Sequence, residues 1–160
     1  MGYNVNEDLV KGNDIFLYIT SGGTGTTKQQ VLAFATSCQM QVDGETISTQ
    51  NKMSCRWASN LAGNNSYTIS ADALYTQTTG VSFDDLMAMM IKGDPVDWAM
   101  GPAIDESALT CENKTFVLDD TKVYYSGKAL ITSLSLNAGN NEVASSSVTL
   151  TGSGEIDQHK

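Results

Sequence analysis

Residues 124–156 read YYSGKALITSLSLNAGNNEVASSSVTLTGSGEI and form the most regular stretch of the chain. Leucine, isoleucine and valine alternate there with serine and threonine, which predicts two β-strands, because successive side chains of a strand point to opposite faces. The Asn/Gly-rich segment 137–141 between them predicts a turn. The stretch is nearly uncharged and holds no histidine, cysteine or carboxylate cluster, so we expect it to build a structure rather than catalyse a reaction.

The alternation assigns residues to the two faces of this hairpin. In the first strand one face is expected to carry Leu130, Leu134 and Leu136, with Thr132 between them. The other face is expected to carry Ile131, Ser133 and Ser135. In the second strand Val148 and Leu150 alternate with Ser147, Thr149 and Thr151. We therefore predict one apolar face and one face covered by small hydroxyls.

Strand signals also dominate the first half of the chain. Apolar runs at 15–19 and 31–36 predict strands, and the second continues by alternation through Val42. Asp43-Gly44 is a typical turn dipeptide, so 45–49 is expected to be the return strand of a hairpin. A further strand is predicted from Tyr67 to about Tyr75.

The polar segment 49–65 is expected to be a long loop or arm. Trp is enriched among interface hot spots, so an exposed Trp57 would be a candidate contact with a partner. Packing of Trp57 onto the local core is the other interpretation, and both stay open. The candidate inter-subunit contacts in this segment are Asn51, Lys52, Met53, Trp57 and Leu61.

One helix is predicted, over about Ser82–Lys92. Ser82 is a suitable N-cap, and Asp85 lies three residues on, as in a capping box with Asp in place of Glu. Gly93 and Pro95 then end the helix. A stripe of apolar residues is expected to pack against a sheet, although a methionine-rich partner-binding face is the alternative. The stripe consists of Phe83, Leu86, Met87 and Met90.

Composition restricts the classes of function. The 160 residues are expected to form a single domain. The chain has 18 acidic and 9 basic residues, a formal net charge of −9. Because affinity for nucleic acid comes mainly from Lys and Arg, this balance argues against a DNA-gripping surface. No apolar stretch is long enough to span a membrane, and no signal peptide is expected at the N-terminus. The last residues, 157–160, are expected to be disordered.

The sequence offers no credible active site. The single histidine, His159, lies next to the C-terminus, which argues against a Ser-His or Cys-His nucleophile and against a His-based metal site. The cysteines Cys38, Cys55 and Cys111 share no metal-ligand spacing and are expected to be free thiols. An acidic excess within 101–121 lacks the spacing of a calcium loop, so we expect solvated loops there. We predict no enzyme activity, no cofactor and no metal.

The chain resembles the major tail proteins (tail tube subunits) of long-tailed, siphovirus-like bacteriophages. The closest correspondence is at 125–138 (YSGKALITSLSLNA) and 144–155 (ASSSVTLTGSGE). Upstream, the resemblance includes 14–18, 33–38, 67–74, and the helix start at 83–86 with the Lys92-Gly93 that ends it. Tyr67 stands where the family often has Trp, and 101–121 matches poorly. The order of these pieces along most of the chain makes the resemblance specific.

The resemblance implies a fold and a function. The fold is mainly β, a β-sandwich or barrel of two packed antiparallel sheets with one flanking helix. The function is that of a structural virion protein whose hexameric rings stack into the tail tube that delivers genomic DNA. The implied partners are further copies of the chain itself and other tail proteins such as the tape measure and the tail terminator. Phage DNA is implied to pass through the lumen without sequence-specific binding. No membrane partner is implied. The implied location is the virion tail, with assembly in the host cytoplasm.

Three alternatives remain at the level of sequence. The first is a tube subunit of a secretion or injection machine, which has the same general architecture. The second is a carbohydrate-binding β-sandwich, whose sugar platform would consist of Trp57, Trp98, Tyr67 and Tyr75. The third, a metal-dependent hydrolase, lacks ligands.

Overall fold

The structure, a computed structural model, describes residues 12–20, 29–32, 35–53, 57–76, 81–104 and 117–160. A short 3-10 helix, Gly12–Asp14, precedes seven strands and one helix. The strands are β1 (Ile15–Thr20), β2 (Gln29–Val31), β3 (Ala35–Ser48), β4 (Asn60–Leu74), β5 (Val96–Pro102), β6 (Tyr124–Asn137) and β7 (Ser145–His159). The helix, α1, is Phe83–Lys92 and lies between β4 and β5.

All seven strands belong to one hydrogen-bonded antiparallel sheet in the order β2-β1-β5-β6-β7-β4-β3. The two longest hairpins, β3–β4 and β6–β7, sit side by side, with β4 against the first half of β7. The predicted mainly β fold with one flanking helix is therefore confirmed.

Irregularities in β6 and β7 fold this single sheet into two packed halves. The register between β6 and β7 shifts between Gly127 and Ala129, and at that point three β7 residues lie opposite a single β6 residue and form a bulge. Gly154 in that bulge has φ +103°, a conformation that favours glycine. Strands that cross a bulge bend and pass from one layer to the other. The first half-sheet contains β3, β4, 145–151 of β7 and 130–137 of β6; the second contains β2, β1, β5 and the remaining parts of β6 and β7.

The core lies between the two half-sheets. Leu17, Ile19 and Trp98 of the second half and Ile69 and Leu150 of the first belong to one buried apolar cluster. At the open side of the layers, Cys38 Sγ of β3 lies 4.0 Å from the carbonyl oxygen of Ile15 in β1, although five strand positions separate the two in sheet order. The two packed antiparallel layers that were predicted are thus joined through β6 and β7.

Tyr67 joins the two layers where β4 leaves β7. Its hydroxyl donates to the carbonyl oxygen of Lys128 and accepts a 3.3 Å hydrogen bond from Trp98 Nε1. The two rings lie 5.6 Å apart. A methyl group at Gly152 would overlap the Tyr67 ring, so glycine is needed there for a steric reason.

Helix α1 forms where the capping signals predict it. The Asp85 carboxylate accepts from the Ser82 backbone amide at 3.1 Å and from the Ser82 hydroxyl at 3.0 Å. Gly93 ends the helix with φ +76°, and its amide bonds to Met89. The predicted apolar stripe is partly wrong, because Met87 and Met90 are about two-fifths exposed. Phe83 and Leu86 are buried, and Met89 packs with them against the core, which leaves the other methionines at the rim of the contact.

The structure corrects the predicted hairpin at Asp43-Gly44. The chain does not turn there: Asp43 pairs with Ser66 and Gly44 with Asn65 in one continuous β3. Gly44 lacks the positive φ that the tight hairpin turns for this dipeptide require. A bulge between Gly44 and Thr46 accommodates the irregularity instead, because pairing with β4 along the whole strand outweighs a local turn preference.

The predicted faces of β6 are also corrected. A bulge between Ile131 and Ser133 shifts the alternation by one residue, so Ile131 and Leu134 both face the core and Leu130 faces outward. A slip of one residue exchanges the faces of a strand. The faces predicted for β7 are confirmed, with Val148 and Leu150 buried.

Three boundaries differ from the sequence predictions. The single strand expected from residue 31 onward is divided into β2 and β3. β4 begins at Asn60, so 60–65 is strand rather than loop, and the connection between β3 and β4 is 49–59. Residues 157–159, expected to be disordered, are paired with β6. The cysteines at 55 and 111 and the acidic residues at 105, 106 and 112 lie outside the described residues.

Candidate functional site

The outward face of the first half-sheet is a wall of hydroxyl and amide side chains, here called the hydroxyl face. Register places its residues in three rows across β3, β4, β7 and β6. The rows are Gln41–Thr68–Thr151–Leu130, Gln39–Ser70–Thr149–Ser133 and Ser37–Asp72–Ser147–Ser135. The alternation that turns Met40, Ile69 and Leu150 inward turns these residues outward.

Hydrogen bonds within the hydroxyl face join neighbouring strands. The Thr132 and Thr151 hydroxyls are 3.1 Å apart, and Ser135 bonds to Ser147. The single carboxylate of the three rows, Asp72, accepts from the Ser37 hydroxyl at 2.8 Å. The rows contain no Lys or Arg, so this face has no cation that could grip a phosphate backbone. Most of the negative charge of the chain therefore lies elsewhere.

Neither edge of the first half-sheet has a further strand neighbour in the part of the chain that the structure describes, and α1 contacts β6. β3 pairs with β4 on one side and with no strand on the other. β6 pairs with β5 from Tyr125 to Ala129, and this pairing ends at Ala129. The backbone of 130–137 therefore has no strand neighbour on its β5 side among the described residues. Open, regular edges are templates for pairing with another chain.

The β3–β4 hairpin extends beyond the sheet as an arm, defined here as 44–65. β4 pairs with β7 only from Thr68 onward, so the arm is a free two-stranded ribbon. At its tip the Met53 amide donates to Asn51 Oδ1 at 2.8 Å, and the Thr49 hydroxyl bonds to Ser59. These polar contacts lie near the tip of the ribbon, of which the structure describes 44–53 and 57–65.

The five predicted contact residues all belong to this arm. Met53 is 94% exposed, Trp57 86% and Leu61 61%. Asn51 and Lys52 are exposed beside Met53. The interpretation that Trp57 packs onto the local core is thus wrong, since its ring lies largely in solvent. Whether these residues contact another subunit stays a prediction.

Sequence reasoning missed Ile47, which is 53% exposed and pairs with Leu61 across the arm. The available signal was a single apolar residue within 45–49, the segment that the sequence predicts as the return strand of a hairpin. Ile47, Met53, Trp57 and Leu61 together give the arm an exposed apolar surface, a feature that marks interaction sites.

The carbohydrate-binding alternative is wrong because two of the four aromatic side chains that it requires at the surface are buried. Trp98 is 1% exposed and Tyr67 4%, so neither presents a ring to solvent. Tyr75 packs edge-on against Phe83 at 6.3 Å. Trp57 stands alone on the arm, and the four aromatic residues form no stacking platform.

Reactive side chains in the described residues have structural roles. Ser126 Oγ lies 2.9 Å from His159 Nε2, and the His159 ring stacks on Tyr124 at 4.3 Å. This Ser–His pair lies on the last residues of a regular hairpin, with His159 exposed, and it fastens the end of β7 to β6. Asp119 caps a turn: hydrogen bonds from Thr121 hold the pKa of its carboxyl below the usual value.

Among the described residues, no three His, Cys, Asp or Glu side chains come together in a way that could hold a metal ion. Within the same ranges, no helix has the length and apolar character needed to cross a membrane. The described cysteine, Cys38, is a free thiol, and burial raises its pKa.

Comparisons with known proteins agree with this architecture. A family model described as phage tail tube protein matches residues 9–158. No curated protein matches the sequence significantly.

Solved structures of similar fold come from three kinds of particle. The tail of an empty gene transfer agent particle, refined with C6 symmetry, is 16% identical and superposes with a TM-score of 0.68 over 93% of this chain and 98% of that one. The SPP1 tail tube is 10% identical and superposes with a TM-score of 0.71 over 94% of this chain and 79% of the SPP1 chain. The sheath–tube complex of an extracellular contractile injection system is 12% identical, with a TM-score of 0.62 over 98% of both chains. At these identities the likeness shows the fold.

Proposed function

This chain belongs to the phage tail tube protein family, and we propose from that premise how its copies assemble and what the tube wall does. The family is structural, so the chain is a tube subunit of a virion tail rather than a member of an enzyme family. The fold it shares with an injection-system tube is common to both kinds of machine, and the family match favours the phage tail.

We propose that copies form rings through the open edges of the first half-sheet. Its four strands alternate in direction, so β3 and β6 at the two edges run antiparallel. Rotation about an axis along the strands preserves their directions. β6 of one copy therefore meets β3 of the next as an antiparallel neighbour, and the pattern continues around the ring. Such pairing would remove both open edges.

A ring of six copies is the size we propose. The supporting observation is the C6 symmetry of the gene transfer agent tail, whose subunit has the same fold. Six half-sheets of four strands would close into one barrel with the hydroxyl face toward the lumen. Stacked rings would then give a hollow tube.

The hydroxyl face suits a channel for DNA. Its three rows present a wetted surface with one carboxylate and no cation, so passing phosphates would find no fixed counter-charge to bind. The remaining acidic balance of the chain would repel DNA rather than retain it. We propose no catalytic step and no cofactor for this role. The tape measure and the tail terminator are proposed as further partners, the first inside the tube and the second at its end.

The arm is proposed to contact another subunit through Asn51, Lys52, Met53, Trp57 and Leu61. Exposed apolar side chains on a free ribbon are costly in water and gain free energy on burial, at about 25 cal/mol per Å² of apolar surface. The ribbon is also expected to be mobile in the free chain, because a two-stranded hairpin without a third strand is only marginally stable.

The observation that carries this proposal is the combination of a polar outward face with two open edges in the first half-sheet. Negative-stain microscopy of concentrated purified protein is the test, and rings or long hollow tubes are the expected result. A strictly monomeric chain at every concentration contradicts the proposal. Hydrogen exchange tests the arm separately: amides of 49–65 should become protected on assembly, and equal protection in both states would show that the arm makes no such contact.

A further inference from the structure

Helix α1 has more apolar surface than its contact with the core uses. Leu86 and Met89 pack inward, whereas Met87, Met90 and Ile91 are 42%, 40% and 80% exposed. At 3.6 residues per turn, the apolar side chains from Met89 round to Ile91 cover about 200° of the helix circumference. A helix packed on a single core needs an apolar stripe of about 100°. We call Met87, Met90 and Ile91 the α1 flank.

α1 lies along the part of β6 that lacks a strand neighbour. At the start of the helix, the Phe83 ring packs on Tyr75, which follows the end of β4. Strand pairing aligns the end of β4 with the end of β6 at Asn137. Soon after the helix ends, β5 begins at Val96, which pairs with Ala129 of β6. The helix contacts β6 and therefore follows it from about residue 137 back to residue 129.

The helix lies on the core side of β6. Leu86 and Met89 belong to the same apolar cluster as Ile131 and Leu134 of β6. The proposed ring uses the β6 edge at 130–137, so α1 stands beside that edge on the side opposite the hydroxyl face. The α1 flank is therefore an apolar surface that a strand added to β6 would meet on its core side.

β3, at the opposite edge of the first half-sheet, has an uncovered apolar side chain on the same side. Cys38, Met40 and Val42 alternate with residues of the hydroxyl face and so point to the core side. β1 covers this side at Cys38, whose Sγ lies 4.0 Å from the Ile15 carbonyl oxygen. Val42 lies about 13 Å further along the strand, and it is 55% exposed. Both edges of the half-sheet thus have exposed apolar atoms on the core side.

Closure of the proposed ring would bring these two surfaces together. Neighbouring strands lie about 4.8 Å apart, so β3 of the next copy would lie beside β6 with its core side facing the same way as that of β6. Rotation about an axis along the strands keeps each row at one height, and Gln41 shares a row with Leu130. Val42 of the next copy would therefore be level with the C-terminal end of α1, where Met90 and Ile91 lie.

We propose that the α1 flank packs on Met40 and Val42 of the neighbouring copy in the same ring, as a second, apolar layer of the contact between the two edges. This inference rests on the proposed function and assigns an occupant to an exposed helix surface. Strand pairing replaces hydrogen bonds to water by hydrogen bonds between subunits, so its net gain is modest, whereas apolar surface gains free energy on burial. Methionine side chains are flexible and adapt to the surface that they cover. The competing occupant is the arm of another copy.

Crosslinking of paired cysteines tests the contact. The variant carries Val42→Cys and Ile91→Cys in a chain whose Cys38, Cys55 and Cys111 are replaced by serine. Assembled protein is confirmed by microscopy, treated with a bismaleimide that has a two-carbon spacer, and run on a denaturing gel. We expect linked products that stop at six chains, because each link joins neighbours within one closed ring. Each single-cysteine variant is the control and should give no linked product.

The outcomes separate this inference from the proposed function. Rings or tubes that give no linked chains, or products that continue past six, overturn the contact between the α1 flank and β3 and leave the proposed ring standing. Linking of Ile91→Cys to Met53→Cys, with none to Val42→Cys, assigns the α1 flank to the arm and also overturns the contact. Failure of the natural chain to form rings or tubes contradicts both proposals.

Opposite charges across the contact keep the test independent of the cysteine background. Val42→Lys or Ile91→Glu alone places an unpaired charge in the apolar contact, so each should lower the sedimentable fraction of the chain by about tenfold or more. The double variant should recover most of this loss, because the two new charges would pair. Val117→Glu is the matched control, since Val117 is 48% exposed and belongs to neither surface. Equal assembly of Ile91→Glu and Val117→Glu, or a double variant no better than the single ones, contradicts the proposal.

Discussion

At the scale of single residues, Tyr67 decides how the two halves of the sheet are held together. Its ring fills the space that Gly152 leaves, and its hydroxyl links Trp98 to the backbone of β6. Trp Nε1–H and Tyr O–H groups need partners when buried, and here Trp98 Nε1–H donates to the Tyr67 hydroxyl, which in turn donates to the Lys128 carbonyl oxygen. The point at which the arm separates from β7 is therefore one of the most tightly packed places in the molecule.

Gly152→Ala should destabilise the chain. The new methyl group would meet the Tyr67 ring, and relief requires movement of a ring held by two hydrogen bonds, so we expect a loss of about 1–3 kcal/mol in the free energy of unfolding. Chemical denaturation measures it. Gly12→Ala is the control, because a methyl group there would meet nothing within 4 Å. Similar losses in both variants would show that packing on Tyr67 is not the cause.

Tyr18→Phe should stabilise the chain. Tyr18 is fully buried, and in the part of the chain that the structure describes its hydroxyl has no hydrogen-bond partner. An unpartnered buried hydroxyl costs free energy, so its removal should raise the free energy of unfolding by up to about 1 kcal/mol at neutral pH.

The same substitution should also change how the free energy of unfolding depends on pH in the alkaline range. Burial raises the pKa of Tyr18 from 10.0 to about 12. Between these values the unfolded chain loses the phenolic proton while the folded chain keeps it, so the stability that is fully present below pH 10 falls as the pH rises toward 12. Denaturation across this range should show a shallower decline for Tyr18→Phe than for the natural chain. Parallel curves would contradict the assignment.

At the scale of elements, α1 and the arm illustrate opposite sources of structure. The helix has its own start and stop signals, so it forms as predicted, and only the width of its buried stripe differs. The arm has no such signals, and its strands exist because β3 and β4 pair along their entire length. Its apolar residues were recognised in part, since four large side chains are exposed but only three were predicted as contacts.

Asp85→Ala should weaken α1. The Asp85 carboxylate accepts two hydrogen bonds from Ser82 at the helix start, so we expect a loss of about 1 kcal/mol in the free energy of unfolding, measured by thermal denaturation. Asp84→Ala is the comparison, because it removes the same charge from the first turn and keeps both bonds to Ser82, while losing a longer hydrogen bond of 3.4 Å from the Tyr75 hydroxyl. A loss equal to that of Asp84→Ala would show that only the interaction with the helix dipole matters.

At the scale of the whole molecule, the direction of the strands and the low charge of the outward face favour assembly of the first half-sheet into the wall of a tube. The half-sheet has an even number of strands, no further strand neighbour at either edge among the described residues, and an outward face whose three rows hold one carboxylate, while Asp43 and Glu45 lie further along β3 and most other described carboxylates lie in turns, α1 and the second half-sheet. None of these features depends on one residue. They follow from how the two long hairpins lie side by side.

Ser133→Cys, in the chain whose natural cysteines are serine, should show which way the hydroxyl face points in a tube. Ser133 is exposed in the middle row. A small maleimide should label it in free chains and in tubes, since the lumen is open to water. A maleimide attached to a polymer of several kilodaltons should label it only in free chains. Labelling of tubes by the large reagent would place this face on the outside, and failure of the small reagent would place it in an interface.

Local signals in the sequence predicted several elements correctly. An apolar run predicted β1, alternation predicted the β6–β7 hairpin, and a capping residue with a C-terminal glycine predicted α1. The sequence also marked five residues that belong to the arm, and their contact with another subunit stays a prediction. Long-range pairing in the folded chain sets three other features: Asp43-Gly44 continues a strand, a bulge after Ile131 exchanges the faces of β6, and β6 and β7 pass between two layers. Each of these is set by pairing with a distant strand, whose many backbone hydrogen bonds outweigh the preference of any short segment.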